Sequence, residues 1–141
     1  MKKLICVLFS LIVILAVGAE QGHAASRNYS CSSGDNVCFG VDFYSFGTSS
    51  ATSNNVYIPK GARVTISATT KDSSMFSMSY YVINSSGKVV SPIVGAAPFG
   101  GVDWDFFTVP ASGYYRVKGV CGDASTQERC TGVGTASFVS K

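Results

Sequence analysis

Histidine is nearly missing from this chain. The single one, His23, lies within the first 24 residues, ahead of everything that reads as a folded domain. Its absence from the remainder excludes Ser-His-Asp and Cys-His activation of a nucleophile. It also removes the usual ligand of a catalytic zinc. Charge is scarce as well: charged residues are 13% of the chain, and no basic cluster after residue 24 exceeds two residues in four. Nucleic-acid binding therefore lacks its electrostatic footprint, and attraction to a membrane by charge alone is weak. There is no Gly-x-Ser-x-Gly elbow, no phosphate-cradling Walker loop and no dinucleotide fingerprint.

Long apolar runs are also rare. Leu4 to Val17 is one of 14 residues, preceded by Lys2 and Lys3 and followed by small residues. It is short of the roughly 20 residues a membrane-spanning helix needs. Positive start, apolar run and Gly22-His23-Ala24 together predict a secretory signal peptide over residues 1–24, removed to leave a domain over residues 25–141. Val17-Gly18-Ala19 is a second cleavage option, and a retained anchor is the alternative. A lipoprotein is disfavoured: Cys6 comes too early, and Cys31 follows Asn28-Tyr29-Ser30. Residues 25–141 suit one domain with a real core. The expected destination is extracellular, with no membrane span after processing.

Four cysteines remain in that domain: Cys31, Cys38, Cys121 and Cys130. An even number in an exported chain reads as two disulfides. The spacings, six and eight intervening residues, exceed those of zinc knuckles. Local pairing is expected, Cys31 with Cys38 and Cys121 with Cys130. Cys121 ends a strand, and residues 122–129 read as the loop of a hairpin whose foot a bridge would cross.

Short β-prone runs alternate with Gly, Ser, Asn and Pro. Val37, Phe39, Val41 and Phe43 share one face, as do Ala62, Val64, Ile66 and Ala68, and again Phe76, Met78, Tyr80 and Val82. Gly47 to Asn55 reads as a loop, and Asn84-Ser85-Ser86-Gly87 as a turn leading into Lys88 to Ser91. Further strands are expected at 55–58, 104–109, 114–121 and 134–139. Seven or eight short strands without a helical period predict an all-β, single antiparallel β-sandwich.

Three segments carry a resemblance. Asn55–Thr70 reads NVYIPKGARVTISATT, Met78–Ser91 reads MSYYVINSSGKVVS, and Asp105–Val117 reads DFFTVPASGYYRV. Their order resembles the bacterial pre-peptidase C-terminal domain and related jelly-roll sandwiches. The resemblance implies a jelly-roll-like fold in which these segments are successive strands, and it says little of function. Some members of that family bind calcium through acids ahead of the first strand; residues 25–34 hold none. The four cysteines lie outside the family pattern.

Two groups of residues remain as candidate sites. After Pro110, Gly113 can take positive φ where the chain reverses. Tyr115, Val117 and Gly119 then face inward, while Tyr114, Arg116 and Lys118 face outward, either as an ordinary solvated face or as a surface for an anionic polymer. The second group is Asp103-Trp104-Asp105. In a strand the two carboxylates point the same way, about 6.6–6.8 Å apart. A glycosidase pair would instead flank the scissile bond from opposing sides. Calcium is the one cofactor Asp103 and Asp105 admit, but its six to eight oxygens cannot all be named. The expectation is that both aspartates lie on a polar outer face. Trp104, with Val102 and Phe106, enters the core as its anchor; the alternative is a surface platform that stacks sugar, with both aspartates then on the inner side.

The resulting reading is a secreted non-catalytic binding or accessory module acting on an extracellular partner, such as an envelope glycan, a matrix polymer or a protein. A small secreted antagonist (toxin, antimicrobial or enzyme inhibitor) is the alternative, and a hydrolase comes third.

Overall fold

The computed structural model describes residues 25–33, 36–122 and 127–140. The expected signal peptide at 1–24 and part of the expected 122–129 loop lie outside the described residues. Ten strands follow one another: β1 (Ser26–Ser33), β2 (Asn36–Phe43), β3 (Ser50–Thr52), β4 (Val56–Ile58), β5 (Arg63–Thr70), β6 (Met78–Asn84), β7 (Val94–Ala96), β8 (Val102–Thr108), β9 (Gly113–Cys121) and β10 (Gly132–Val139). They form two antiparallel sheets. The first has the order β1-β2-β10-β5-β8, the second β3-β9-β6-β7, with β4 also on β9. From β2 onward the chain crosses between the sheets at every step except β3 to β4 and β6 to β7, which stay in the second sheet, in the manner of a double-sheet jelly roll, and β1 adds a hairpin strand at one edge.

The count exceeds seven or eight because β1, β3 and β7 are Ser-, Thr-, Gly- or Asn-rich segments with little apolar alternation. They are strands because a neighbour offers them a ladder. β3 forms inside the stretch expected to be a loop, opposite Val120 to Lys118 of β9. Conversely, Lys88 to Ser91 contributes only the bridge between Ile83 and Val89. The turn before it is as expected: Asn84 Oδ1 accepts the amides of Ser86 and Lys88, and Gly87 takes a φ of 82°. Gly113 corrects the expectation placed on it. It has no positive φ and opens β9 directly opposite Ile58.

The inward faces of β2, β5, β6 and β9 are those read from period-two alternation. Phe39, Val41, Phe43, Val64, Ile66, Ala68, Met78, Tyr80, Val82, Tyr115 and Val117 are buried together. The centre belongs to Tyr80, fully buried and edge-on to Phe43 at 6.2 Å between ring centroids. Two glycines make its space. A Cβ on Gly134 would come within 1.9 Å of the Tyr80 ring, and one on Gly119 within 2.6 Å. The Tyr80 hydroxyl donates to Met78 Sδ at 3.3 Å. Burial pushes the phenol well above its usual pKa, and the Asp42 charge adds to the shift.

Both expected disulfides are formed. Cys31 and Cys38 are direct cross-strand partners in the β1–β2 hairpin, with Cα atoms 5.0 Å apart. Cys121 and Cys130 join the end of β9 to the approach to β10, Cα atoms 5.6 Å apart, both buried. Two such bridges fit an oxidising compartment.

Candidate functional site

Trp104 is not in the core. It is 64% exposed, and Val102 and Phe106 beside it are 68% and 47% exposed. The stripe is therefore real, but it faces solvent. The inward face of β8 runs through Asp103, Asp105, Phe107 and on to Val109, of which only the last two are buried. Two physical facts allow this. Phe106 and Phe107 are adjacent, so either face of β8 could offer an aromatic to the core. And β8 is an edge strand, so an inward side chain at its open margin need not be apolar.

The inward aspartates have found partners. Asp103 Oδ2 accepts the amide of Gly95 in β7 at 2.8 Å, and its Oδ1 accepts the amide of Trp104 at 2.9 Å. Asp105 Oδ1 accepts the amide of Phe106 at 2.7 Å. These carboxylates saturate backbone donors along a free sheet edge, a recognised way of blunting it. They do not face each other across a cleft. Among the described residues no group of three or more His, Cys, Asp or Glu is placed to hold a metal, so no third acid joins this pair. The clefts beside Tyr29, Cys38 and Asn54, beside Lys60 and Arg63, and beside Phe76 and Gln127 have no acid among the described residues of their walls.

The stripe borders a broad polar surface. Registers across the first sheet align Trp104 with Ser67, Thr135, Gly40 and Tyr29 in one row, and Phe106 with Thr65, Ser137, Cys38 and Cys31 in the next. Ser67 Oγ and Thr135 Oγ1 lie 2.8 Å apart, so these two neighbouring hydroxyls are linked across β5 and β10. Arg63 sets its guanidinium over the Phe106 ring, 4.0 Å from the centroid. Five strands spaced about 4.8 Å make the face about 19 Å across, with Trp104 near one margin and Tyr29, 40% exposed, near the other. The hydroxyl rows were legible as outward residues of β5. Their continuation across β10 to Tyr29 was not, because strand order cannot be read locally.

Tyr114, Arg116 and Lys118 do point outward, as the alternation of β9 predicts. They belong to the second sheet, so the structure puts them on the opposite outer surface from Trp104. The two candidate groups are separate.

This is an all-β, two-sheet antiparallel sandwich with the strand order of a jelly roll. No family model matches the sequence, and no curated protein does. Among solved structures there is fold-level similarity to the pre-peptidase C-terminal domain of a collagenase from Bacillus anthracis: 13% identity, TM-score 0.40, covering 81% of this chain and 85% of that one. A family 35 carbohydrate binding module from Clostridium thermocellum is similar at 7% identity, TM-score 0.42, covering 78% and 90%. An isomalto-dextranase of Arthrobacter globiformis T6, complexed with panose, is similar at 13% identity and TM-score 0.45 over 81% of this chain. The chain spans 23% of that enzyme's length. These likenesses are of fold.

Proposed function

We propose that this protein is a secreted, non-catalytic binding module that holds an extracellular glycan against the outer face of its first sheet. The observation that carries the reading is the exposed stripe Val102, Trp104 and Phe106. A large apolar stripe left in solvent on a rigid strand is costly to keep and marks an interaction surface. A flat indole beside rows of hydroxyls suits a sugar ring, whose apolar C–H face stacks on the π system while its rim exchanges hydrogen bonds. The surface is open and wide, which favours a polymer over a small molecule. Export is supported by the reading of residues 1–24 and by two disulfides. Lack of catalysis is supported by the absence of histidine after residue 23 and by aspartates engaged with backbone amides.

The test is a binding survey of the processed domain against soluble and insoluble neutral glucans and cell-wall material. Retention that disappears in both Trp104→Ala and Phe106→Ala, with thermal unfolding unchanged, supports the reading. Retention unaffected by either substitution removes it.

A second reading, a small antagonist acting on a lipid surface, has one observation in its favour. Backbone hydrogen bonds link the loops at one end of the sandwich in series, Phe99 to Ser74, Met75 to Arg129 and Gly47 to Glu128. These loops carry Tyr44, Phe46, Met75 and Phe99, 42–66% exposed. Phe99 also holds a positive φ of 60°, a strained conformation for an aromatic residue. Leakage from vesicles that is abolished by Phe99→Ser and unaffected by Trp104→Ala would favour this reading over the first.

A further inference from the structure

The outer face of the second sheet carries a grouping of a different kind. Tyr114, Arg116 and Lys118 project along it from β9, successive members about 6.6–6.8 Å apart. The register sets Tyr57 opposite Tyr114, Ile83 opposite Arg116, and Tyr81 and Thr52 on either side of Lys118. Tyr57 and Tyr114 are 53% and 57% exposed, with rings edge to face at 5.6 Å between centroids. Ile83 points outward yet is only 6% exposed, so its neighbours cover it.

The electrostatics of this face are one-sided. β3, β4, β6, β7 and β9 contain no aspartate or glutamate at all. The two ion pairs among the described residues both go to Asp42, on the other sheet. Neither Arg116 nor Lys118 has a counter-ion among the described residues. Arg116 Nε is in addition shielded from solvent without a hydrogen-bond acceptor among the described residues, so nothing there neutralises this guanidinium. Two like charges on neighbouring same-face positions repel each other, and nothing in the described fold offsets that repulsion.

We infer that this face is a second binding site, for an acidic polysaccharide. Uronate carboxylates lie against Arg116 and Lys118, and sugar rings lie on Tyr57 and Tyr114. Two cations are too few for the phosphate-dense backbone of a nucleic acid, whereas a chain with one carboxylate per sugar offers an anion to each cation and rings to the flanking tyrosines. The site does not depend on the Trp104 stripe, because a full sandwich core separates the two surfaces. If both are occupied, one domain holds two polymer chains.

The experiment titrates the domain, residues 25–141, with polygalacturonate, with neutral dextran as control. The wild type is expected to bind polygalacturonate, and to release it as salt rises from about 50 mM to about 1 M, where screening acts within about 3 Å. Arg116→Gln with Lys118→Gln should weaken binding at least tenfold. Lys118→Arg should retain it, and Trp104→Ala should leave it unchanged. If the double variant unfolds, Lys118→Gln alone is read, with an expected loss of at least threefold. No binding by the wild type, unchanged affinity in the charge variants, equal loss in Trp104→Ala, or tighter binding of a single-stranded oligonucleotide than of polygalacturonate would each overturn the assignment. Failure of the wild type to bind dextran, with polygalacturonate binding intact, would count against the Trp104 face alone.

Discussion

Asp103 Oδ2 and the amide of Gly95 lie 2.8 Å apart, and that bond ties the margin of one sheet to the margin of the other. β8 closes the first sheet and β7 the second, so Asp103 works as a stitch along the side of the sandwich. Its second oxygen and the Asp105 carboxylate hold the amides of Trp104 and Phe106. The Asp-Trp-Asp sequence is thus an edge device carrying an exposed aromatic.

Removing the stitch should be measurable. Asp103→Ala leaves two amides without their acceptor and should cost about 1–2 kcal/mol, the roughly 1.5–3 kcal/mol of a hydrogen bond to a charged group lowered by solvent screening at this partly exposed site. Asp103→Asn, which keeps an acceptor, should cost less. Urea unfolding at neutral pH gives the stabilities. Light scattering should detect self-association of the Ala variant through the unblocked edge. Asp103→Asn and Asp105→Asn together test the proposed lack of catalysis: any ester or polysaccharide turnover lost in both, with folding intact, would refute it.

Trp104→Ala should change stability by no more than about 0.5 kcal/mol, as for a surface position. A buried anchor would have cost about 3–5 kcal/mol. The indole should emit to the red and be quenched readily by acrylamide. Glycan affinity should fall at least tenfold, about 1.4 kcal/mol. Blue-shifted, quench-resistant emission would return Trp104 to the interior and remove the stacking surface.

The core penalty should appear at Tyr80 instead. Tyr80→Ala is expected to cost about 3–5 kcal/mol, and Gly134→Ala to be strongly destabilising because its methyl group meets the Tyr80 ring. The phenol also predicts a pH dependence. Its folded pKa lies above the ordinary value, so the unfolded chain loses this proton first. The stability it contributes is complete below about pH 10, the unfolded tyrosine value, and declines as pH rises beyond it. Tyr80→Phe should flatten that alkaline decline; parallel curves for the two proteins would contradict the burial.

Non-reducing peptide mapping should link Cys31 to Cys38 and Cys121 to Cys130. Each closes a short loop, with sequence separations of 7 and 9, and loss of one should cost about 2–3 kcal/mol. The buried Cys121–Cys130 bridge should be the slower to reduce, and Cys31–Cys38, on an edge hairpin, the faster. A peptide joining either of the first two cysteines to either of the last two would require a different threading of the chain.

How much of this was legible without the structure depends on the strand. In β5 the residues between Val64, Ile66 and Ala68 are Thr65 and Ser67, so only one face can be apolar and its inward direction follows. β2 and β9 are similar, and the outward placement of Tyr114, Arg116 and Lys118 followed from the same rule. Paired local cysteines and the all-β class were equally open to inspection, since period two, turn residues and spacing are properties of neighbouring positions. In β8 the same rule groups Val102, Trp104 and Phe106 correctly, but cannot say which way they face. That depends on what lies above the strand. β7, three residues long, covers one side and supplies the donor that makes an inward Asp103 tolerable, while Tyr80, fitted between Gly119 and Gly134, already fills the centre. Alternation is local and belongs to the sequence; the direction of a face, the strands made only by their neighbours, and the separation of two candidate surfaces are set by which sheets pack together.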